Sequence, residues 1–476
     1  MSMINSKYPK HMATIEGEIR AFQNILEKIG TDAREKPKIK ADDFSKAYTA
    51  IYEISTDKTD FHVLNCELYK YYRNEIKDYL VKKVFPSLRS KRSGQLLEEL
   101  EKRWIQHELM VKWMSRLFQY LERFFIVREK VKKLEPLGID LFRNVVIEQI
   151  SSTIIKAYLS ELSNHRDEKP STNTYMVMAR SVEIFATIAK IDNSSYIEDF
   201  QRNIIENSKE YYSNKYLEWA DSLPPEDYLE NVETLLLKEQ QLIESILPSN
   251  KYKKPIMDAI FASFDANLIK SYQETLQREE QGQSEFIRMV EERNEKSLKK
   301  FYSLFSRLKD NFEGFHQQFK SFIFKNAKRI FDLRPDSKGE TGKNRRKHFE
   351  FIESLIKFYE DYEKVIEKCF EKKNYFNRAF RGAMESLFDI PITPLISDQI
   401  AEFIDLLLNK NGLRNRNFTN EEKESLLLGV LKLFACLSDK DKFLMLYEAA
   451  LVQRVINDLM SNLEHERMVV EQIKAM

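Results

Sequence analysis

Residues 256–333 contain no proline. One proline in a helix interior costs about 3 kcal/mol, so a stretch of this length without one is open to helix from end to end. The same holds over most of the chain, whose 476 residues include only 11 glycines and 12 prolines. The breakers gather in a few segments that read as turns or loops: "SNHRDEKPST" (163–172), "DSLPPED" (221–227), "LPSNKYKKP" (247–255), "RPDSKGETGKNRRK" (334–347), "DIPITP" (389–394) and "NKNGLRNRNFTNEE" (409–422). Between them apolar residues recur at helical spacing, and no strand-like alternation with Asn-Gly or Asp-Gly turns appears. The chain reads as all-α, with two or three long helices expected over 256–333. Helices with no sheet to pack on must stack on each other, as a bundle or an elongated stack. No sequence repeat of roughly 30 to 50 residues, the solenoid range, is visible.

Hydrophobic residues make up 42% and charged residues 32%, enough apolar material for a sizeable core and too much for a disordered chain. Lys plus Arg (76) and Asp plus Glu (75) nearly cancel, which gives no reason to expect nucleic acid or an anionic membrane as partner. Cys66, Cys369 and Cys436 are odd in number and far apart, so neither a disulfide framework nor a zinc pair is implied, and a reduced intracellular compartment is expected. "MSMINSKYPKHMATIEGEI" has no apolar core of the kind that marks a secretory signal. The longest apolar run, "LLLGVLKLFACL", includes Lys432; it is short for a membrane span and suits a buried helix.

Enzyme signatures are missing: no Gly-rich phosphate loop, G-x-S-x-G, HExxH or Cys-x-x-Cys occurs. The seven histidines are scattered, with none paired at ligand spacing. No cofactor and no metal is expected. Asp439 and Asp441, flanked by Ser438 and opening a helix, read as N-terminal capping and dipole partners rather than as a carboxylate pair for catalysis. The basic loop "GKNRRKH" reads as a solvated charge run.

Two segments are richer. In "ELMVKWMSRLFQYLERFFIVRE" (108–129), at about 100° per residue, large apolar side chains cover roughly half of the helix circumference, whereas one core contact needs a stripe of only about 100°. The surplus includes Trp113 and Tyr120, and Lys112, Arg116 and Arg123 run beside it. Aromatic residues edged by arginine are enriched at interface hot spots. In "DDFSKAYTAIYEIST" (42–56), Asp42 or Asp43 can cap the start, and Ala47, Ile51 and Ile54 share one side. Phe44, Tyr48 and Tyr52, at i, i+4 and i+8, make an adjoining aromatic stripe. On pattern alone both helices read more readily as core elements with wide buried faces than as an interface, and composition does not separate the two readings.

These residues resemble the amino-terminal half of a cullin, and the resemblance extends over most of the chain. The helix with Phe44, Tyr48 and Tyr52 looks like the second helix of the first cullin repeat, and "RWIQHELMVKWMSRLFQYLERFFIVRE" like the fifth, with its Tyr-Leu-x-Arg core at Tyr120, Leu121 and Arg123. "PLGIDLFRNVVIEQI" (136–150) is similar to the segment opening the next repeat. "YIEDFQRNIIENSKEYYSNKYLEW" (196–219) and "DYLENVETLLLKEQ" (227–240) are similar to second-repeat helices, and residues 349–388 to a third-repeat pair. The family's D-K-D-x-F-x-x-x-Y-x-x-x-L-x-x-R signature is matched by Asp439, Lys440, Asp441, Phe443, Tyr447, Leu451 and Arg454. In detail the chain looks closest to the class that uses Skp-type adaptors carrying F-box receptors.

The resemblance implies an elongated stalk of three stacked five-helix repeats, at 1–150, 151–290 and 291–412, with the start of a helical bundle at 413–476. It implies a non-catalytic scaffold of a ubiquitin ligase, in the cytoplasm and nucleus, that works by holding acceptor and donor close together. The adaptor face implied for the first repeat comprises Phe44, Tyr48, Tyr52, Trp113, Arg116 and Tyr120. The family's RING-protein-binding region and its neddylation lysine would lie beyond Met476, so adaptor binding without RING binding is expected of these residues, as a front half or as an adaptor-sequestering form. Val455 and the Ala449–Ala450 pair depart from the family pattern, and residues from about 455 are expected to fray. The rival reading is an elongated helical tether with no connection to ubiquitin; it offers no reason for the Asp-Lys-Asp-x-Phe or Tyr-Leu-x-Arg segments.

Overall fold

The computed structural model describes residues 3–30, 40–167, 175–192, 196–247, 253–280, 282–309, 312–335, 342–370, 375–391, 395–412 and 418–475. The chain forms two compact units, Met1–Asn214 with Thr234–Phe264, and Lys215–Glu233 with Asp265–Met476.

In the first unit α1 (Met3–Lys7) and α2 (Pro9–Leu26) precede α3 (Ala41–Ser55) and α4 (Phe61–Tyr79). A π-wound stretch, Leu80–Val84, carries α4 into α5 (Phe85–Arg89). Next come α6 (Ser93–Leu117), a second π-wound stretch at Leu121–Ile126 and the short α7 (Val127–Glu129). α8 (Leu134–Phe142) runs through π-wound Arg143–Ile147 into α9 (Glu148–Arg166), followed by α10 (Tyr175–Asp192). α11 (Tyr196–Trp219) and α12 (Pro225–Ile246) each give residues to both units, and α13 (Lys253–Phe264) completes the first.

α6 is the spine of the first unit. Its Leu97, Leu100, Met110, Met114 and Leu117 are buried, and α2, α3, α8, α9 and α10 all pack on it. Deeper in the unit, Arg166 donates to Glu239 at 2.6 Å and to Ser208 at 2.7 Å, with Tyr211 and Tyr212 beneath its guanidinium. Both charged side chains are buried, so each depends on the other for compensation.

The second unit holds a π-wound segment, Asp265–Lys270, then α14 (Ser271–Gln277), α15 (Glu285–Glu291), α16 (Glu295–Phe305) and α17 (Glu313–Phe331). α18 (Gly342–Cys369), α19 (Tyr375–Phe388), α20 (Ile396–Leu408), α21 (Asn420–Phe434), α22 (Lys440–Ile456) and α23 (Leu463–Ala475) follow. Phenylalanine dominates its core: Phe286, Phe301, Phe315 and Phe376 are fully buried, with Phe315 4.8 Å from Phe301 and 5.0 Å from Phe286.

The all-α reading holds, and five local expectations change. The stretch 256–333 is cut into more pieces than two or three helices, because a tight hairpin pairs Glu279–Glu280 with Gln283–Ser284 and Gly282 turns it at φ +87°. Positive φ is nearly free only for glycine. "GKNRRKH" is the first two turns of α18 and not a loop; Arg346 there pairs with Glu350 one turn on. α3 begins at Ala41 with Lys40 before it, so Asp42 and Asp43 lie in its first turn as dipole partners and neither caps it.

The segment 108–129 is not one α-helix. α6 stops at Leu117, where Phe118 takes φ −97° and ψ 24°, and the chain resumes π-wound. The wider winding keeps Leu121 and Phe125 in the core while Tyr120 and Phe124 line up outside it.

Residues beyond 455 do not fray. α22 ends with Asp458 at φ +51° and Leu459 N–H bonded to the Arg454 carbonyl at 2.9 Å, a Schellman-type stop. Backbone bonds from Lys410 N to the Leu459 carbonyl and from Ser461 N to the Leu408 carbonyl, both 2.8 Å, tie the turn to the end of α20. α23 then buries Val469, His465 and Glu466. Asp439 caps α22 as expected, accepting from Lys442 N at 3.2 Å, and Asp441 sits in its first turn. Residues 168–172, 248–252, 336–341, 392–394 and 413–417, each inside a segment read as a loop, lie outside the described residues. Among the described residues no helix is long and apolar enough to cross a membrane.

Candidate docking surface

The six residues singled out for an adaptor face come from two helices far apart in sequence, and α3 and α6 bring them together. α3 buries Ala47, Ala50, Ile51 and Ile54 against α2, α4 and α6. That packing turns the neighbouring stripe, Phe44, Tyr48 and Tyr52, toward the end of α6. The aromatic rings form one continuous row. Trp113 stacks on Phe22 of α2 at 4.2 Å and 11°, Phe44 meets Trp113 edge-on at 6.0 Å, and Phe44 lies 6.3 Å from Tyr48. Tyr48 is 5.9 Å from Tyr120, which meets Tyr52 edge-on at 4.6 Å and stacks with Phe124 at 5.7 Å. Aromatic pairs at such spacings contribute about 0.5–1.5 kcal/mol each beyond area burial, so the row is held rigid by its own contacts.

Exposure rises along the row. Trp113 is 6% exposed, Tyr52 40% and Phe124 55%. Trp113 is therefore a core residue, and for it the core reading wins: it is the footing on which Phe44 stands. Its Nε1 is buried with no hydrogen-bond partner among the described residues. Phe44, Tyr48 and Tyr120 are half-buried. Among the described residues the hydroxyls of Tyr48, Tyr52 and Tyr120 have no hydrogen-bond partner.

Arg116 lies on the exposed side of α6 next to this row, in line with Lys112 and Arg123. None of the three meets a carboxylate within ion-pair distance among the described residues, and Glu108, one turn before Lys112, interacts with that lysine electrostatically. The implied adaptor face left out Phe124 and Val127, which are 55% and 71% exposed. Their sign was the surplus apolar arc, but only the π winding decides which of its members face outward. Phe22 was missed as well, since its spacing on α2 marks it as ordinary core.

The edge of the row is anchored electrostatically. Lys7 and the Tyr8 hydroxyl both reach Asp57, in the turn after α3, and their hydrogen bonds hold that carboxyl far below the usual carboxylate range. The arrangement offers no nucleophile and no acid–base pair. Among the described residues no group of three or more His, Cys, Asp or Glu is placed to hold a metal ion. A rigid aromatic row with a basic flank is suited to binding another protein.

The family model for the cullin alpha solenoid domain matches residues 20–476. The chain belongs to the cullin family. It is 28% identical over 466 residues to Cullin-1 of Oryza sativa subsp. japonica, covering 96% of this chain and 60% of that protein. It is 23% identical to Cullin-2 of Arabidopsis thaliana, over 97% of this chain and 61% of that one, and 22% identical to Cullin-1 of Schizosaccharomyces pombe, over 90% and 58%. This cullin chain thus spans about three fifths of the length of the curated relatives it matches. The family accounts for the stacked helices, and its Asp-Lys-Asp-x-Phe signature has a structural meaning in this cullin: Phe443, Tyr447 and Arg454 are all buried in the second unit.

Proposed function

We propose that this cullin chain is a scaffold part of a ubiquitin ligase and docks a Skp-type adaptor, with its F-box receptor, on the face built by α3 and α6. The observation that carries the reading is the continuous aromatic row from Trp113 to Phe124, open at its Tyr52 end and flanked by Arg116. A preassembled row loses little conformational entropy on binding, and tyrosines with unengaged hydroxyls suit a partner surface that is apolar with polar edges. The scaffold is non-catalytic; its substrates are those the receptor selects, and it acts in the cytoplasm and nucleus. Residues 1–150, 151–290 and 291–412 are the three repeats, and 413–476 begin the following bundle.

The test is calorimetric titration of the chain with a purified Skp-type adaptor–F-box complex. Tyr48→Ala combined with Tyr120→Ala is expected to weaken binding by at least about a hundredfold, since central aromatic anchors cost about 2 kcal/mol or more each when truncated. The double variant removes four ring contacts and is expected to melt at a lower temperature than the parent, so binding is compared where circular dichroism shows both proteins folded. Undiminished binding in a folded double variant sinks the docking assignment.

A further inference from the structure

The three cysteines of the chain stand in different surroundings. Cys369 and Cys436 are buried in the second unit, where burial pushes the Cys436 pKa up to about 11 and raises that of Cys369. Neither is set to ionise near neutrality. Cys66, on α4, is only half-buried. Its Sγ lies 3.9 Å from Nδ1 of His62, one helical turn earlier, and His62 Nε2 lies 3.4 Å from Oε2 of Glu129 in α7. One neutral tautomer serves both contacts, with Nε2–H directed to Glu129 and Nδ1 left to accept the thiol proton. A thiol, an imidazole that can take its proton and a carboxylate that orients the imidazole are the parts of an activated nucleophile.

A second, independent feature borders the thiol. Lys70, Arg73 and Lys77 follow Cys66 on the same side of α4. All three are exposed, and none meets a carboxylate within ion-pair distance among the described residues. Glu67, beside Cys66 in sequence, accepts from the Met3 and Ile4 N–H groups. Arg73 and Asp140 both act electrostatically on Tyr69, and Asp140 is itself paired with Lys132. The Tyr69 hydroxyl donates to the Lys132 carbonyl at 2.8 Å, which holds the turn carrying the exposed Lys130 and Lys133 against α4. Partly exposed, electropositive surroundings are those in which reactive cysteines are found.

We propose that Cys66 is a modification site, a nucleophilic thiol that exchanges with small disulfides bearing carboxylates. The thiol proton passes to His62 Nδ1, and the thiolate attacks one sulfur of the disulfide. The old S–S bond breaks as the bond to Cys66 forms, and the departing thiolate takes the proton from His62. Cys66 is oxidised to a mixed disulfide while the other half of the small disulfide is reduced to a thiol, so no further oxidant is needed. Lys70 and Arg73 draw the carboxylates in.

Glutathione disulfide is the probe, added to the full chain and followed by intact mass against time, with the modified cysteine located by peptide mapping. A single glutathionyl group is expected, on Cys66, and none on the Cys66→Ser variant. His62, Lys70 and Arg73 are exposed, so changing them leaves the core untouched. His62→Gln should slow the reaction about tenfold, because an amide cannot take the thiol proton. Cystamine, a cationic disulfide, is the charge control. Lys70→Gln with Arg73→Gln should lower the ratio of the glutathione disulfide rate to the cystamine rate about tenfold at low salt, and by far less at about 0.5 M NaCl. Modification spread over Cys369 and Cys436, a rate unmoved by His62→Gln, or a ratio unmoved by the charge change overturns the proposal. So does an equal fall of both rates in the charge-changed variant, which would mean that Lys70 and Arg73 support the thiol's surroundings without selecting the disulfide.

Discussion

Arg454 Nε donates to Glu466 Oε1 at 2.7 Å, and Arg454 Nη2 donates to Glu466 Oε2 at 3.1 Å. The pair joins α22 to α23, the Tyr447 hydroxyl adds a bond to Glu466 at 3.1 Å, and Asp405 of α20 accepts from the remaining guanidinium nitrogen. Arg454 and Glu466 are 1% and 3% exposed. Removing one partner leaves a buried charge uncompensated, which costs about 3–5 kcal/mol, whereas replacing both by apolar residues is often neutral. Glu466→Ala is therefore expected to abolish hydrogen-exchange protection over α22 and α23. Arg454→Met with Glu466→Leu should restore most of it.

This arginine marks how far sequence carries and where it stops. Asp439, Phe443, Tyr447 and Arg454 were legible as one spaced signature and as a capped amphipathic helix. Their partners were not, because Glu466 and Asp405 approach Arg454 only through the turn at 457–461 and its backbone pairing to 408–410, which no periodicity encodes. The same limit applied to the candidate site. The stripe of Phe44, Tyr48 and Tyr52 follows from 3.6-residue spacing, but its meeting with Tyr120 depends on how α3 packs on α6. Spacing at 100° per residue also fails across a π-wound segment, which is why the outward placement of Phe124 escaped notice and Trp113 was counted as surface.

Core and surface members of the aromatic row should separate cleanly in experiment. Trp113 is buried between Phe22 and Phe44, and Trp113→Ala is expected to lower stability by about 3–5 kcal/mol. Phe124→Ala and Tyr52→Ala, on exposed rings, should change it by less than about 1 kcal/mol while still weakening adaptor capture. Urea denaturation set against adaptor titration checks both. Equal stability losses at Trp113 and Phe124 would contradict this arrangement.

Acid sensitivity has an identifiable contributor in the first unit. His107 is fully buried, and burial pushes its pKa down from 6.5 to about 4. Between those values the unfolded chain takes up a proton that the folded chain does not. The histidine's contribution is therefore intact above pH 6.5 and is lost as pH falls toward 4. The full shift corresponds to about 3 kcal/mol. His107→Gln, which cannot titrate, is expected to flatten the fall in stability over that window relative to the parent, even where it lowers stability at neutral pH. Parallel pH profiles for the two proteins would remove His107 as the cause.

The acceptor for His107 Nε2 is the carbonyl oxygen of Gly138, at 3.0 Å, and that contact explains the glycine in "PLGIDLF". α8 crosses α6 so closely that a Cβ on residue 138 would stand 2.5 Å from Val111 Cγ2 and 2.8 Å from its Cγ1. Both contacts are far inside van der Waals distance, and Val111 is buried with a stiff β-branched side chain. The backbone of Gly138 is ordinary helix, so strain in φ plays no part. Gly138→Ala gains about 1 kcal/mol of helix propensity and loses more to the clash, typically about 1–3 kcal/mol for overpacking. It would also displace the carbonyl that satisfies His107. A net loss is expected, and Val111→Ala in the same chain should recover part of it by making room for the new methyl. If Gly138→Ala alone raises the denaturation midpoint, the close approach of α8 to α6 is not what holds glycine at this position.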